Sequence, residues 1–149
     1  MPRIHCEGLE ALARELEQEP ARAVQRETRM LLAGAEIVRK GWKDTAEERG
    51  FRRTGGLIAA IRYAKKPEKM RDLRYVDIYP QGSDKTGMRY GAIAYILHFG
   101  TPGSSNPRAR KRKKKYPGAG IPRTLWVDQA EERSADAAVG EMRRIWNED

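Results

Sequence analysis

Cysteine, histidine and phenylalanine are nearly absent from this chain. It has one cysteine, Cys6, with two histidines and two phenylalanines, among 149 residues. A single cysteine forms no internal disulfide, so packing or assembly must supply stability. His5 stands beside Cys6 at the N-terminus and His98 is isolated, so no spacing resembles a zinc site. A Cys–His nucleophile pair would require Cys6 and His98 to meet across the fold. No apolar run reaches the ~18–20 residues that a membrane-spanning helix needs. The N-terminal MPRIHCEGLE lacks the apolar centre of a secretory signal, which predicts a chain made and kept in a cytoplasm or assembled into something there. Gly82-Ser83-Asp84-Lys85-Thr86 carries a Lys-Thr pair, but Asp84 stands where a phosphate loop needs glycine. These absences argue against an enzyme, and no cofactor or metal is expected.

Charge is abundant and unevenly placed. The chain carries 30 basic and 21 acidic residues, a net charge of +9. Residues 1–49 are net −1, residues 50–122 are net +13 and residues 123–149 are net −3. Seven of the middle cations fall within eight positions: Arg108, Arg110, Lys111, Arg112, Lys113, Lys114 and Lys115. Such a run attracts phosphate whatever the sequence, through counterion release. Only Tyr116 offers a neighbouring ring, so base stacking has little support. Three uses stay open: a solvated loop, contact with nucleic acid, or docking on an acidic protein surface.

Periodicity predicts one α+β domain over 1–149. Leu9, Leu12 and Leu16 are spaced as one face of a short helix beginning near Ile4 and Gly8. Pro20 then suits the first turn of a second helix, over about 20–44, with Val24, Thr28, Leu31, Ala35, Val38 and Trp42 on its apolar face. Arginines and glutamates fill the outer face, while Gly34 and Gly41 weaken the helix locally. Thr54 reads as the N-cap of a short helix at 55–60, and Ile61–Ala64 as a strand. Pro67 marks a turn, Leu73–Tyr79 alternates as one antiparallel strand, and 80–84 is turn chemistry. Tyr90–Phe99 is apolar and reads as either a strand or a short helix. Residues 102–120 hold three prolines, three glycines and the basic run, the composition of a flexible loop. A last helix follows from Arg123 to about Asn147, with Val127, Ala130, Ser134, Ala138 and Ile145 on one small-residued face. The two ends of the loop, near Phe99-Gly100-Thr101 and Ile121-Pro122, look built to return to one place. The expected architecture is therefore a long N-terminal helix packed on a small antiparallel sheet, a C-terminal helix, and one long basic loop.

The order of the motifs adds a resemblance. Ile4, Gly8, Leu9 and Leu12 precede the long helix, and Thr54, Gly55, Leu57 and Ile61 follow it. Then come Tyr95, Phe99, Gly100 and Thr101, a variable loop, and Ile121, Pro122, Arg123, Leu125, Trp126 and Ala130. This order resembles a family of small tail-component proteins of long-tailed bacteriophages and prophages, over nearly the whole chain. His98 stands where that family commonly has glutamate, and Thr124 where it often has a second proline.

The resemblance implies a structural virion protein for tail completion or head–tail joining at the neck, made in the bacterial host cytoplasm. It implies a homo-oligomeric ring, commonly of six copies, with other tail and head-connector proteins as partners. Packaged DNA passing through such a ring would meet a basic loop that faces it. Thr54, Gly55, Leu57, Tyr95, Phe99, Gly100, Thr101, Pro122 and Trp126 are the motif positions expected to build the fold or its interfaces. The Tyr90–Phe99 segment and the loop after it are the expected ring contact. The alternative is a nucleic-acid-binding module working through 108–115, and it would be favoured if basic charge also gathered on folded elements.

Overall fold

Helix α1 runs from Leu9 to Glu48, 40 residues or about 60 Å at ~1.5 Å per residue. The computed structural model describes residues 9–51, 55–101 and 120–148, with side chains described from Glu17 onward in α1. The expected break at Pro20 does not occur; Pro20 lies inside the helix. It removes one ladder hydrogen bond, at a cost of about 3 kcal/mol. Ala, Leu, Glu, Gln and Arg dominate both flanks and sustain the helix across the gap. Residues 17–25 are exposed, so any kink there displaces no packed neighbour among the described residues.

Helix α2 spans Gly55–Ala60, α3 spans Tyr90–Phe99 and α4 spans Trp126–Trp146. The apolar segment that read as strand or helix is thus a helix. The last helix starts three residues later than expected. The fold class is α+β, as expected, with the long N-terminal helix, a small antiparallel strand set and the C-terminal helix. The strands and α4 both pack along α1 from about residue 26 onward: Arg74 reaches Glu27 and Ile61 joins Ala46 in the core, while Arg26 and Trp42 meet α4. The two helices run antiparallel: Trp126 stacks near Trp42, Ser134 lies against Gly41, Met142 against Gly34, and Arg26 donates to the Trp146 carbonyl at 3.4 Å. Arg29 reaches Glu148 at 2.8 Å, so two arginines of the expected outer face anchor the end of α4.

The buried face of α4 is Trp126, Ala130, Ser134, Ala138 and Ile145. Its small residues let the helices approach closely. A Cβ at Gly41 would lie 2.9 Å from the Ser134 Cβ and 3.4 Å from the Ala130 carbonyl. At Gly34 it would meet the Met142 sulfur at 2.7 Å, the flexible part of a long side chain. Helix propensity favours alanine by about 1 kcal/mol at either glycine. Gly34→Ala should therefore be neutral or stabilising in urea unfolding, because Met142 can rotate away. Gly41→Ala should be destabilising by about 1–2 kcal/mol, because Ser134 Cβ and the α4 backbone must move. Equal effects at the two sites would show that α1 and α4 do not pack in this register.

Four short strands form two antiparallel ladders. β1 (Ile61–Tyr63) pairs with β4 (Ile78–Pro80), Ile61 opposite Pro80 and Tyr63 opposite Ile78. β2 (Glu68–Met70) pairs with β3 (Leu73–Tyr75), Glu68 opposite Tyr75 and Met70 opposite Leu73. The expected single strand Leu73–Tyr79 is thus split, and β2 occupies what read as turn. Four residues, 64–67, separate β1 from β2, whereas only Val76 and Asp77 separate β3 from β4. The two extra residues include Pro67, which has no N–H for a ladder, so the strands part there and resume in a register shifted by two. The whole is one long hairpin, turned at Arg71-Asp72, with Arg71 at φ 56°.

The core lies where α1, α2, β1, α3 and α4 converge. Ala46, Leu57, Ile61, Ala94 and Trp126 are buried there, with Trp42, Phe51, Ile78, Ile93 and Val127 packed around them. Trp126 lies at the centre of this cluster: its ring is 5.5 Å from Trp42 and 5.7 Å from Phe51, both edge-on.

Candidate interface at the closed base of the loop

The two ends of the long loop do meet. Gly100 ends α3 with φ 73° and ψ −179°, and its N–H donates to the Ile96 carbonyl. The Thr101 N–H donates to the Ile121 carbonyl at 2.9 Å, and the Ile121 N–H returns to the Thr101 hydroxyl at 3.0 Å. The N–H groups of Thr124 and Leu125 both reach the His98 carbonyl, at 3.2 and 3.1 Å. The Thr124 hydroxyl donates to the Leu97 carbonyl at 2.5 Å. The indole N–H of Trp126 reaches the Ala94 carbonyl at 3.3 Å. Carbonyls left free at the end of α3 are thus satisfied by the segment that leads into α4. Leu125 takes a left-handed conformation, φ 51°, to turn the chain into that helix.

His98 completes the clamp. Its Nδ1 accepts the Val127 N–H, at 3.3 Å, in the first turn of α4. That acceptance places the proton of the neutral ring on Nε2, which lies 3.6 Å from the Asp128 carboxylate. His98 is 8% exposed, so it is a packed side chain that caps a helix.

Beside the clamp lies an open apolar groove of about 350 Å³, lined by Trp42, Tyr79, Ala94, Tyr95, Phe99 and Val127. The Tyr95 and Phe99 rings lie 4.6 Å apart, tilted by 49°, yet they are 65% and 49% exposed, and Tyr79 across the groove is 51% exposed. Three exposed rings thus gather at one place, unlike apolar residues scattered singly over a surface.

Of the motif positions, Tyr95, Phe99, Gly100, Thr101, Pro122 and Trp126 come together here. Leu57 lies in the core beneath Trp126, and Gly55 begins α2. Pro122 is exposed and sits in the extended lead to α4. Thr54 lies outside the described residues, as do Ile4, Gly8, His5 and Cys6. The basic run Arg108, Arg110, Lys111, Arg112, Lys113, Lys114 and Lys115 also lies outside them, with the expectation that 102–120 is flexible. Sequence reading gave Tyr79 no site role and noted Thr124 only as a departure from the motif. Tyr79 was visible as the outward residue of an alternating strand, but its nearness to Tyr95 depends on the fold.

The turn that read as a failed phosphate loop has its own purpose. The Asp84 carboxylate accepts the Thr86 hydroxyl at 2.7 Å and the N–H groups of Thr86 and Met88 at 2.8 and 2.9 Å. These donors, the Thr86 hydroxyl foremost, hold Asp84 below its ordinary pKa. A depressed folded-state pKa gives stability that is present above the unfolded value, near ~4, and is lost as pH falls through the folded one. The urea midpoints of the native chain and Asp84→Ala should differ by a constant amount above about pH 5. The gap should narrow below pH 4. A gap that widens with acid would sink this assignment.

Among the described residues, no group of three or more His, Cys, Asp or Glu side chains is placed to hold a metal ion, and no helix is long and apolar enough to cross a membrane. Comparison with models of known protein families, with curated proteins and with solved structures finds no match to this chain.

Proposed function

We propose that this protein is a structural component of a tailed phage or prophage particle, acting at the neck in tail completion or head–tail joining. It works by assembling into a ring, commonly of six copies, and docking on neighbouring tail and connector proteins. No chemistry is assigned to it. The observation that carries this reading is the clamp: the motif residues Tyr95, Phe99, Gly100, Thr101, Pro122 and Trp126 converge on one site, with two adjoining rings left in solvent. The sequence resemblance supplies the setting, which is a virion. His98 fits it as well. Where the resembling family commonly has glutamate, the imidazole offers an equivalent acceptor to the first turn of α4.

A ring needs a head-to-tail contact that closes, so the patch must meet a different surface of the next copy. Burying Tyr79, Tyr95 and Phe99 in that contact supplies the apolar centre such interfaces need. The test is the mass of the purified protein by light scattering over a range of concentrations, alone and with tails lacking this component. The native chain should form closed rings or complete the tails, and Tyr95→Asp with Phe99→Asp should abolish both while leaving far-UV circular dichroism unchanged. A variant that assembles and joins as well as the native chain would overturn the reading.

A further inference from the structure

The hairpin from β1 to β4 is the second exposed feature of the fold, and it is basic. Residues 61–75 hold Arg62, Lys65, Lys66, Lys69, Arg71 and Arg74 against Glu68 and Asp72. Arg74 pairs with Glu27 of α1 at 3.5 Å, which ties the hairpin to the helix, and Glu68 accepts the Tyr75 hydroxyl at 2.9 Å. Arg62, Lys65, Lys66, Lys69 and Arg71 are exposed, and none forms an ion pair among the described residues. Lys69 stands directly opposite Arg74 in the β2–β3 ladder, a like-charge pair that weakens a sheet. At the tip, Met70 and Leu73 are cross-strand partners, 61% and 63% exposed. An apolar pair on the end of a cationic ribbon has no core to face.

We infer that this hairpin is an arm that binds duplex nucleic acid. Its lysines and arginines follow the phosphates, and Met70 with Leu73 presses on the base stack. From Tyr63 to Arg71 the arm spans roughly 25 Å at ~3.3 Å per residue, enough to cross a groove. β-Ribbons enter the grooves of duplex DNA, and apolar wedges at base steps kink it. An acidic protein surface would satisfy the cations equally, but it gives no reason for an exposed apolar pair at the tip. The arm is built from residues other than the Tyr95–Phe99 patch, so this inference does not depend on ring assembly. It also puts basic charge on a folded element, separate from the 108–115 run.

The test is fluorescence anisotropy with a 30-bp duplex between about 50 and 200 mM KCl, a range over which phosphate contacts dominate the salt response. The parent is the full chain with the seven cations of 108–115 changed to glutamine, and it should bind. Changing Lys65, Lys66, Lys69 and Arg71 to glutamine should lower the slope of log K against log salt by about 3–4, at ~0.9 per phosphate contact. Met70→Ser with Leu73→Ser should leave the slope unchanged but weaken binding and remove the DNA bend measured by end-to-end energy transfer. All six positions are exposed, and circular dichroism checks that the variants fold. Tyr95→Asp should bind duplex like the parent, whatever its oligomeric state. The inference falls if the parent does not bind, or if the four-glutamine variant binds with an unchanged slope. It also falls if polyglutamate displaces the duplex at equal charge while the Met70 and Leu73 changes have no effect, which would assign the arm to an acidic protein.

Discussion

Gly100→Ala should lower the melting temperature by roughly 8–16 °C, at ~2–4 °C per kcal/mol for a chain of this size. Two causes add. The backbone at φ 73°, ψ −179° lies in a region open almost only to glycine, worth about 1–3 kcal/mol of strain for any other residue. An added Cβ would also stand 2.5 Å from the Ile121 carbonyl oxygen, 2.8 Å from the Arg123 nitrogen and 3.0 Å from the Pro122 carbonyl carbon. All three are backbone atoms, so no side chain can swing aside. The segment must move, and the paired bonds between Thr101 and Ile121 go with it, which brings the expected total to about 4 kcal/mol. Hydrogen exchange at the Thr101 amide should accelerate in the variant. A melting temperature within a degree or two of the native chain would show that the loop ends are not closed as described. Because Phe99 adjoins the clamp, the same substitution should impair ring assembly even where the protein stays folded.

Trp126→Ala is the second large effect, about 3–5 kcal/mol by urea unfolding. Trp126 is fully buried, meets Trp42 and Phe51 edge-on, and donates to the Ala94 carbonyl. Truncation leaves a cavity between α1, α3 and α4 and removes the indole hydrogen bond to the Ala94 carbonyl. Trp126→Phe keeps a ring at the site but loses the donor, and should cost about half as much. If alanine cost less than about 1 kcal/mol, the convergence of helices on this residue would be wrong.

The clamp also gives the loop a defined geometry at its base. Closing a 19-residue span costs entropy that grows only slowly with its length, so the insertion between Thr101 and Ile121 is tolerated once its ends are held. The fold then carries two outward features, an aromatic patch beside the clamp and a basic arm ending in Met70 and Leu73. The first is the proposed contact with another copy of the chain, and the second the proposed contact with a duplex.

The sequence by itself determined the fold class and the apolar faces of the helices. The small-residued face of α4 was legible from Ala130, Ser134 and Ala138, because helical spacing is a local property. So were the stop at Gly100 and the return of the loop ends, each written in Gly, Pro or Thr at positions that demand them, whereas the turn read at 80–84 falls at 84–88 and Pro80 ends β4. Only the tertiary structure decided how those elements were used. Pro20 looked like a helix start, yet the ladder continues through it because strong helix formers stand on both sides. Gly34 and Gly41 looked like weak points, and both face α4, Gly34 against the Met142 side chain and Gly41 against Ser134 and the Ala130 carbonyl. Leu73–Tyr79 alternates as one strand, but its two halves pair with different partners because Pro67 breaks the opposing strand. The candidate patch was half legible: Tyr95 and Phe99 follow from the motif, while Tyr79 joins them only through the β1–β4 pairing. Periodicity reports which side of an element is apolar; which neighbour covers that side depends on contacts between residues far apart in the chain, and these leave no local pattern.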